Sequence, residues 1–135
     1  MKKIVFVCTG NTCRSPMAEG YLKSKKSVGY EIISRGLAAD GSPAATHSVN
    51  AMLEKSIDIT GHISAQLTYS DIEGADAIVC MSASHAELLE ALGVDKLKIH
   101  VLGINDPFGG DMELYRACRD EIFEAVDEFI EDGIL

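Results

Sequence analysis

V-C-T-G-N-T-C-R-S-P, residues 7–16, is the stretch from which the rest of the chain can be read. It follows the apolar run Ile4–Val7, which is too short for a helix and built from β-favouring residues. It ends where Ser15 is placed to cap a helix with Pro16 at the first helical position. Working outward, further β-rich runs lie at Tyr30–Ile33, Ala77–Met81 and Ile99–Leu102. Helix-like stretches fall near Pro16–Lys26, His47–Ser56, Ser84–Leu92 and Met112–Asp132. The last is the clearest, with Leu114, Cys118, Ile122, Val126 and Phe129/Ile130 recurring at helical spacing. Strands that alternate with helices imply a parallel sheet covered on both faces. The expectation is one three-layer α/β domain spanning residues 1–135, a length that buries a core without metals or disulfides.

Composition removes several function classes. The formal net charge is −9, so a nucleic-acid backbone is not an expected partner. The charge is uneven: residues 1–35 carry seven Lys/Arg against two acids, and residues 106–135 ten acids against two Arg. The opening M-K-K-I-V-F-V-C has basic residues before an apolar run, but Thr9, Gly10 and Asn11 cut that run short. A secretory h-region needs roughly 7–15 apolar residues and a membrane span ~18. The expected setting is therefore cytoplasmic, with no membrane partner. Four cysteines (Cys8, Cys13, Cys80, Cys118) show no C-x-x-C pair, and the four histidines are scattered singly. Neither a disulfide framework nor a Cys/His metal site is expected. Cys80 and Cys118 read as core, and His47, His62, His85 and His100 as ordinary residues.

Between Cys8 and Arg14 the chain must turn sharply, and Gly10 and Asn11 tolerate positive φ. Successive backbone N–H groups in such a turn point inward and form an anion nest. The helix that follows adds its positive dipole end, and Arg14 can offer two phosphate oxygens a planar fork of donors. Cys8 then sits at the floor of an electropositive cup, where the loop amides, Arg14 and the Ser15 hydroxyl stabilise a thiolate. The same donors would stabilise the charge of an in-line phosphoryl transfer. A leaving group needs a proton, and Asp106 in N-D-P-F-G-G follows the fourth strand onto the same rim. Pro107 fixes the backbone after it, and Gly109–Gly110 are expected to leave the rim uncrowded.

These residues resemble the low-molecular-weight protein phosphatases. Beyond the loop and D-P-F-G, the resemblance runs through S-R-G (Ser34–Gly36), G-H-I-S-A-Q-L (Gly61–Leu67) and A-D-A-I-V-C-M (Ala75–Met81). It implies a four-stranded parallel sheet of order 2-1-3-4 flanked by helices. It also implies a metal-independent enzyme without cofactor, acting on phosphorylated proteins. By the resemblance Cys8 matches the nucleophile, Arg14 the phosphate clamp and Asp106 the general acid. Asn11 matches a residue that holds the strained loop, and Ser15 a hydroxyl that assists the departing thiolate. Thr9, Gly10, Asn11, Thr12, Cys13, Ser15 and Phe108 complete the expected substrate-binding set. Ala65 stands where many relatives carry Arg, and a structural effect is the most expected of it. A monomer is expected.

Two positions bear on the substrate. Tyrosine-directed members usually carry Ile where this chain has Thr12, and Tyr where it has Phe108. Thr12 with D-P-F-G-G is similar to the bacterial protein-arginine phosphatase branch. Phosphoarginine carries a planar guanidinium, whose N–H groups an ionised Asp106 could accept, and the Thr12 hydroxyl supplies a polar contact near the P–N centre. Against this stands the simpler reading that Thr and Ile, both β-branched, fill the same space, leaving a tyrosine phosphatase. A thiol-coupled arsenate reductase would require Cys80 and Cys118 to relay a disulfide, and a non-catalytic phosphoprotein-binding module would not need Cys8, Arg14 and Asp106 together. Cys13 has two readings as well: a reversible disulfide partner of Cys8, or a small side chain packed beneath the loop.

Overall fold

The computed structural model describes residues 1–135. Its centre is β1 (Lys2–Cys8), whose residues Ile4 to Val7 are fully buried, as a strand covered on both faces requires. There follow α1 (Arg14–Lys25), β2 (Tyr30–Gly36), α2 (Thr46–Leu53), the single turn α3 (Tyr69–Ile72) and β3 (Ala77–Cys80). The chain closes with α4 (Ala83–Ala91), β4 (Ile99–Val101) and α5 (Met112–Glu131), with a 3-10 turn at Lys96–Lys98 before β4. All pairings are parallel and the strand order is β2-β1-β3-β4. Phe6 faces Ser34 on one side and Val79 on the other.

Alternation along the strands builds two cores. Ile4, Phe6 and Cys8 point, with Ala77, Val79 and Met81, into the larger one, where Met17, Ala18 and Leu22 of α1 meet Cys118, Ile122 and Val126 of α5. Val5 and Val7 point the other way, with Ile78 and Cys80, onto Leu89 of α4. A one-residue slip of β1 would exchange the two sets, so this register is strongly specified. Cys8 is therefore both the last residue of the central strand and part of the larger core, and it is 2% exposed.

The elements foreseen from sequence are all present with shifted ends, and two short ones, α3 and the 3-10 turn, carry no apolar period by which they could be recognised. The start of α1 differs in substance. Cys13, not Ser15, occupies the N-cap, and it makes no side-chain cap bond. Ser15 is already inside the helix and wholly buried, because its hydroxyl is committed to the loop instead. Of the two rim glycines, Gly109 has open space around it at a φ of 80°, whereas Gly110 has another reason. A Cβ on Gly110 would run into the Leu114 side chain and lie 2.9 Å from the Pro107 carbonyl, which accepts the Gly110 N–H at 2.8 Å. Gly110 closes a turn; it does not clear space at the rim.

Candidate active site

The loop from Thr9 to Cys13 joins β1 to α1 and is held from outside by its carbonyls. Those of Cys8, Thr9 and Thr12 accept the N–H groups of Leu37, Ala38 and Ala45, at 3.0, 2.9 and 2.8 Å. The Asn11 carbonyl meets His62 Nε2 at 2.7 Å. Since N–H and C=O of one peptide plane point oppositely, carbonyls directed outward leave the loop amides on the concave side. The irregular stretch after β2 is thus the outer wall of the nest. Gly36 permits the approach, because a Cβ there would stand 2.8 Å from the Thr9 carbonyl oxygen.

Beneath the cup lies a directional set of hydrogen bonds. Asn11 is fully buried at φ 59°, the one residue of the loop in the left-handed region. Its Nδ2 donates to Ser15 Oγ (2.8 Å) and Ser34 Oγ (3.0 Å), and its Oδ1 accepts the Ala65 N–H at 2.9 Å. The Ser34 hydroxyl donates to Glu19 Oε1 at 2.6 Å. Ser15, already an acceptor from Asn11, has its own proton free for Cys8 Sγ, 2.9 Å away. The Asn11 amide N–H is a second donor to the same sulfur, at 3.2 Å. Two hydrogen-bond donors thus converge on Cys8 Sγ. Only the backbone of Ala65 takes part, so the side chain at that position is free to vary.

Arg14 is 5% exposed, and its Nη1 is anchored on the Ile104 carbonyl at 3.0 Å. Its Nε is buried without a partner, and Nη2 stands 3.6 Å from Asp106 Oδ2. An unpartnered guanidinium nitrogen inside a protein is costly, and an oxyanion taking Nε and Nη2 together would satisfy it. Asp106 Oδ1 accepts the Phe108 N–H at 3.0 Å, and its side chain is half exposed. Cys8, Thr9, Gly10, Thr12, Cys13, Arg14, Asp106 and Phe108 all line one cavity of about 500 Å³. Asn11 and Ser15 lie below it and reach it through Cys8. Asp40, Ser42, Pro43 and Ala45 form the opposite wall, which no motif announced. Cys13 Sγ touches Tyr115 Oη at 3.4 Å, and burial together with that contact pushes the Tyr115 phenol up. All four cysteines are free thiols.

Two of the four histidines, expected to be ordinary residues, are part of the loop's support. His62 holds the Asn11 carbonyl, and His85 holds the Thr9 hydroxyl at 2.9 Å. His62 falls within the G-H-I-S-A-Q-L stretch that carries the resemblance, but both histidines lie far from the loop in sequence and no spacing pattern gives either its role.

A four-stranded parallel sheet with an oxyanion cup at the carboxyl end of its central strand, floored by a cysteine, defines the low-molecular-weight phosphatase architecture. The chain belongs to the low molecular weight phosphotyrosine protein phosphatase family, which matches residues 3–132 and whose members are cysteine-based enzymes. It is 41% identical to the protein-arginine-phosphatase of Geobacillus stearothermophilus, over 96% of this chain and 94% of that one. The solved YwlE arginine phosphatase from the same organism superposes with a TM-score of 0.91, at 38% identity over 98% of this chain and 92% of that one. An arsenate reductase of Bacillus cereus (strain AH187) is 33% identical over 98% of this chain and 96% of its own.

Proposed function

We propose that this protein removes phosphate from phosphoarginine side chains of proteins, with Cys8 as nucleophile, Arg14 as clamp and Asp106 as proton donor and acceptor. The observation that carries the reading is the wall of the cup itself. Thr12 Oγ1, whose one hydrogen-bond partner is Cys13 Sγ at 3.7 Å, belongs to a residue lining the cavity beside the nucleophile, where a branched hydrocarbon would serve a phenol better. Likeness to the Geobacillus protein-arginine-phosphatase points the same way.

The Cys8 thiolate attacks phosphorus as the P–N bond breaks, and Asp106 gives its proton to the departing guanidine nitrogen. The phosphoryl oxygens rest on the loop amides and on Nε and Nη2 of Arg14. Asp106, now a carboxylate, takes a proton from water, whose oxygen attacks phosphorus. The S–P bond breaks, Cys8 leaves as thiolate with the Ser15 hydroxyl donating to it, and inorganic phosphate remains. Asp106 is suited to both steps by its place on the cavity wall, where its side chain is half exposed.

A tyrosine substrate is the second reading. Phe108 is 79% exposed at the cavity mouth, where its ring could stack on a phenol. Phosphate release from matched phosphoarginine and phosphotyrosine peptides separates the two. Wild type should prefer phosphoarginine, and Thr12→Ile should shift the preference toward phosphotyrosine. A wild-type preference for phosphotyrosine would sink the arginine reading and reduce Thr12 to packing. Arsenate reduction through a disulfide relay is disfavoured by the two remaining thiols. Burial pushes both Cys80 and Cys118 up to about 12, and a relay thiol must ionise.

A further inference from the structure

His85 is buried, belongs to α4, the helix that follows β3, and has both ring nitrogens engaged. Nδ1 meets Ser82 Oγ at 3.0 Å, and Ser82 Oγ meets Ser84 Oγ at 2.9 Å. Nε2 meets Thr9 Oγ1 at 2.9 Å. Thr9 follows the nucleophile directly, and its side chain lines the cavity that His85 does not reach. We infer that His85 is a positioning residue: its Nε2–H donates to Thr9 Oγ1, so that the Thr9 hydroxyl proton is turned into the cup as a donor to the bound phosphoryl group.

The proton inventory supports that polarity. A neutral imidazole has one donor and one acceptor, and its two neighbours here are hydroxyls, each able to play either part. If Thr9 donated to the ring, its lone pairs would face an anion in the cup and repel it. If the ring donates to Thr9, the hydroxyl proton faces the anion, and Ser82 completes the set by donating to Nδ1 while accepting from Ser84. The ring is kept neutral by burial and, secondly, by the Arg14 charge, with Asp106 acting weakly the other way. A protonated ring would also donate from Nδ1 and remove that place for the Ser82 proton. The Thr9 backbone is fixed independently, its carbonyl accepting from Ala38 N–H at 2.9 Å, so the ring controls the side chain and not the loop path.

The inference rests on reading the Cys8–Arg14 loop as the phosphoryl cup. The test is inhibition by inorganic phosphate of phosphate ester or amide hydrolysis, measured for wild type, Thr9→Val, His85→Ala, His85→Gln and the Thr9→Val/His85→Ala pair. Wild-type activity inhibited by phosphate secures the cup itself; without it, the proposed function falls first. Given that, Thr9→Val and His85→Ala should each weaken phosphate binding about tenfold, the weight of one hydrogen bond to a charged acceptor. The pair should be no weaker than either alone. His85→Gln, whose amide nitrogen can stand in for Nε2, should recover most of the loss, which a packing role for the ring would not allow. Thr9→Val changes only a hydroxyl for a methyl, so it tests the hydroxyl's part even if His85→Ala does not fold, and His85→Gln then tests the part of the ring. Unchanged phosphate inhibition in Thr9→Val, multiplying losses in the pair, or no recovery in His85→Gln would each overturn the inference.

Discussion

Replacing Asn11 by Ala removes the hub on which the cup is built. The side chain makes three bonds, to Ser15, Ser34 and the Ala65 N–H, all in buried or half-buried surroundings. Each contributes about 1 kcal/mol net. Alanine at the φ of 59° adds roughly 1 kcal/mol of left-handed strain. Ser34 keeps Glu19 as a partner and Ser15 keeps Cys8, so those groups are not stranded. The sum is about 4 kcal/mol, or a fall in Tm on the order of 15 °C for a chain of this length. Ser15 would lose the bond that forces its proton toward sulfur, so kcat should drop along with stability. Thermal unfolding followed by circular dichroism measures the first, and phosphate release at a temperature where the variant is folded measures the second. A Tm within about 3 °C of wild type, with kcat preserved, would show that the buried network is not what shapes the loop.

Other residues give sharper single readouts. Gly36→Ala places a methyl 2.8 Å from the Thr9 carbonyl oxygen, so the wall must retreat from the loop; activity should fall more than tenfold, and full activity would contradict the contact. Arg14→Lys keeps the charge but cannot hold Ile104 and present two further donors at once, so kcat/KM should fall about a hundredfold, measured under subsaturating substrate. Glu54 is held at about 2 by its hydrogen bonds to Arg116 and Arg119. A lowered carboxylate stabilises the fold above its ordinary value near 4.5, and that contribution is lost as pH falls from there toward about 2. Between pH 5 and pH 2.5 wild type should therefore lose more Tm than Glu54→Gln, and parallel curves would refute the linkage.

The order of elements was legible because β1 and β3 hold short runs of apolar, β-favouring residues while α5 carries a clean helical period. The cup was legible for a different reason: Cys8, Gly10, Asn11, Arg14 and Ser15 are neighbours in the chain, so their geometry is largely local. What the sequence hid is what comes from afar. His62, His85, Ser34 and the Asp40–Ala45 wall reach the loop only because β2 and β3 flank β1, and single residues of common types carry no spacing signal. Ser15 was misplaced for a related reason. A serine before proline reads as a cap, but here the buried Cys8 sulfur and the buried Asn11 amide, which lie within the same turn, take its hydroxyl instead.

The anchoring of Arg14 on the Ile104 carbonyl has a thermodynamic consequence. An arginine that is free to move has about 2 kcal/mol of rotamer entropy to lose when it grips an anion. Here that freedom is surrendered when the chain folds, before any ligand arrives, because the side chain is enclosed and its Nη1 is already bonded. Capture of an oxyanion then freezes little that was moving, and its calorimetric signature should be dominated by enthalpy and released water. The clamp behaves less as a flexible arm that closes than as a fixed socket, waiting open at the end of the central strand.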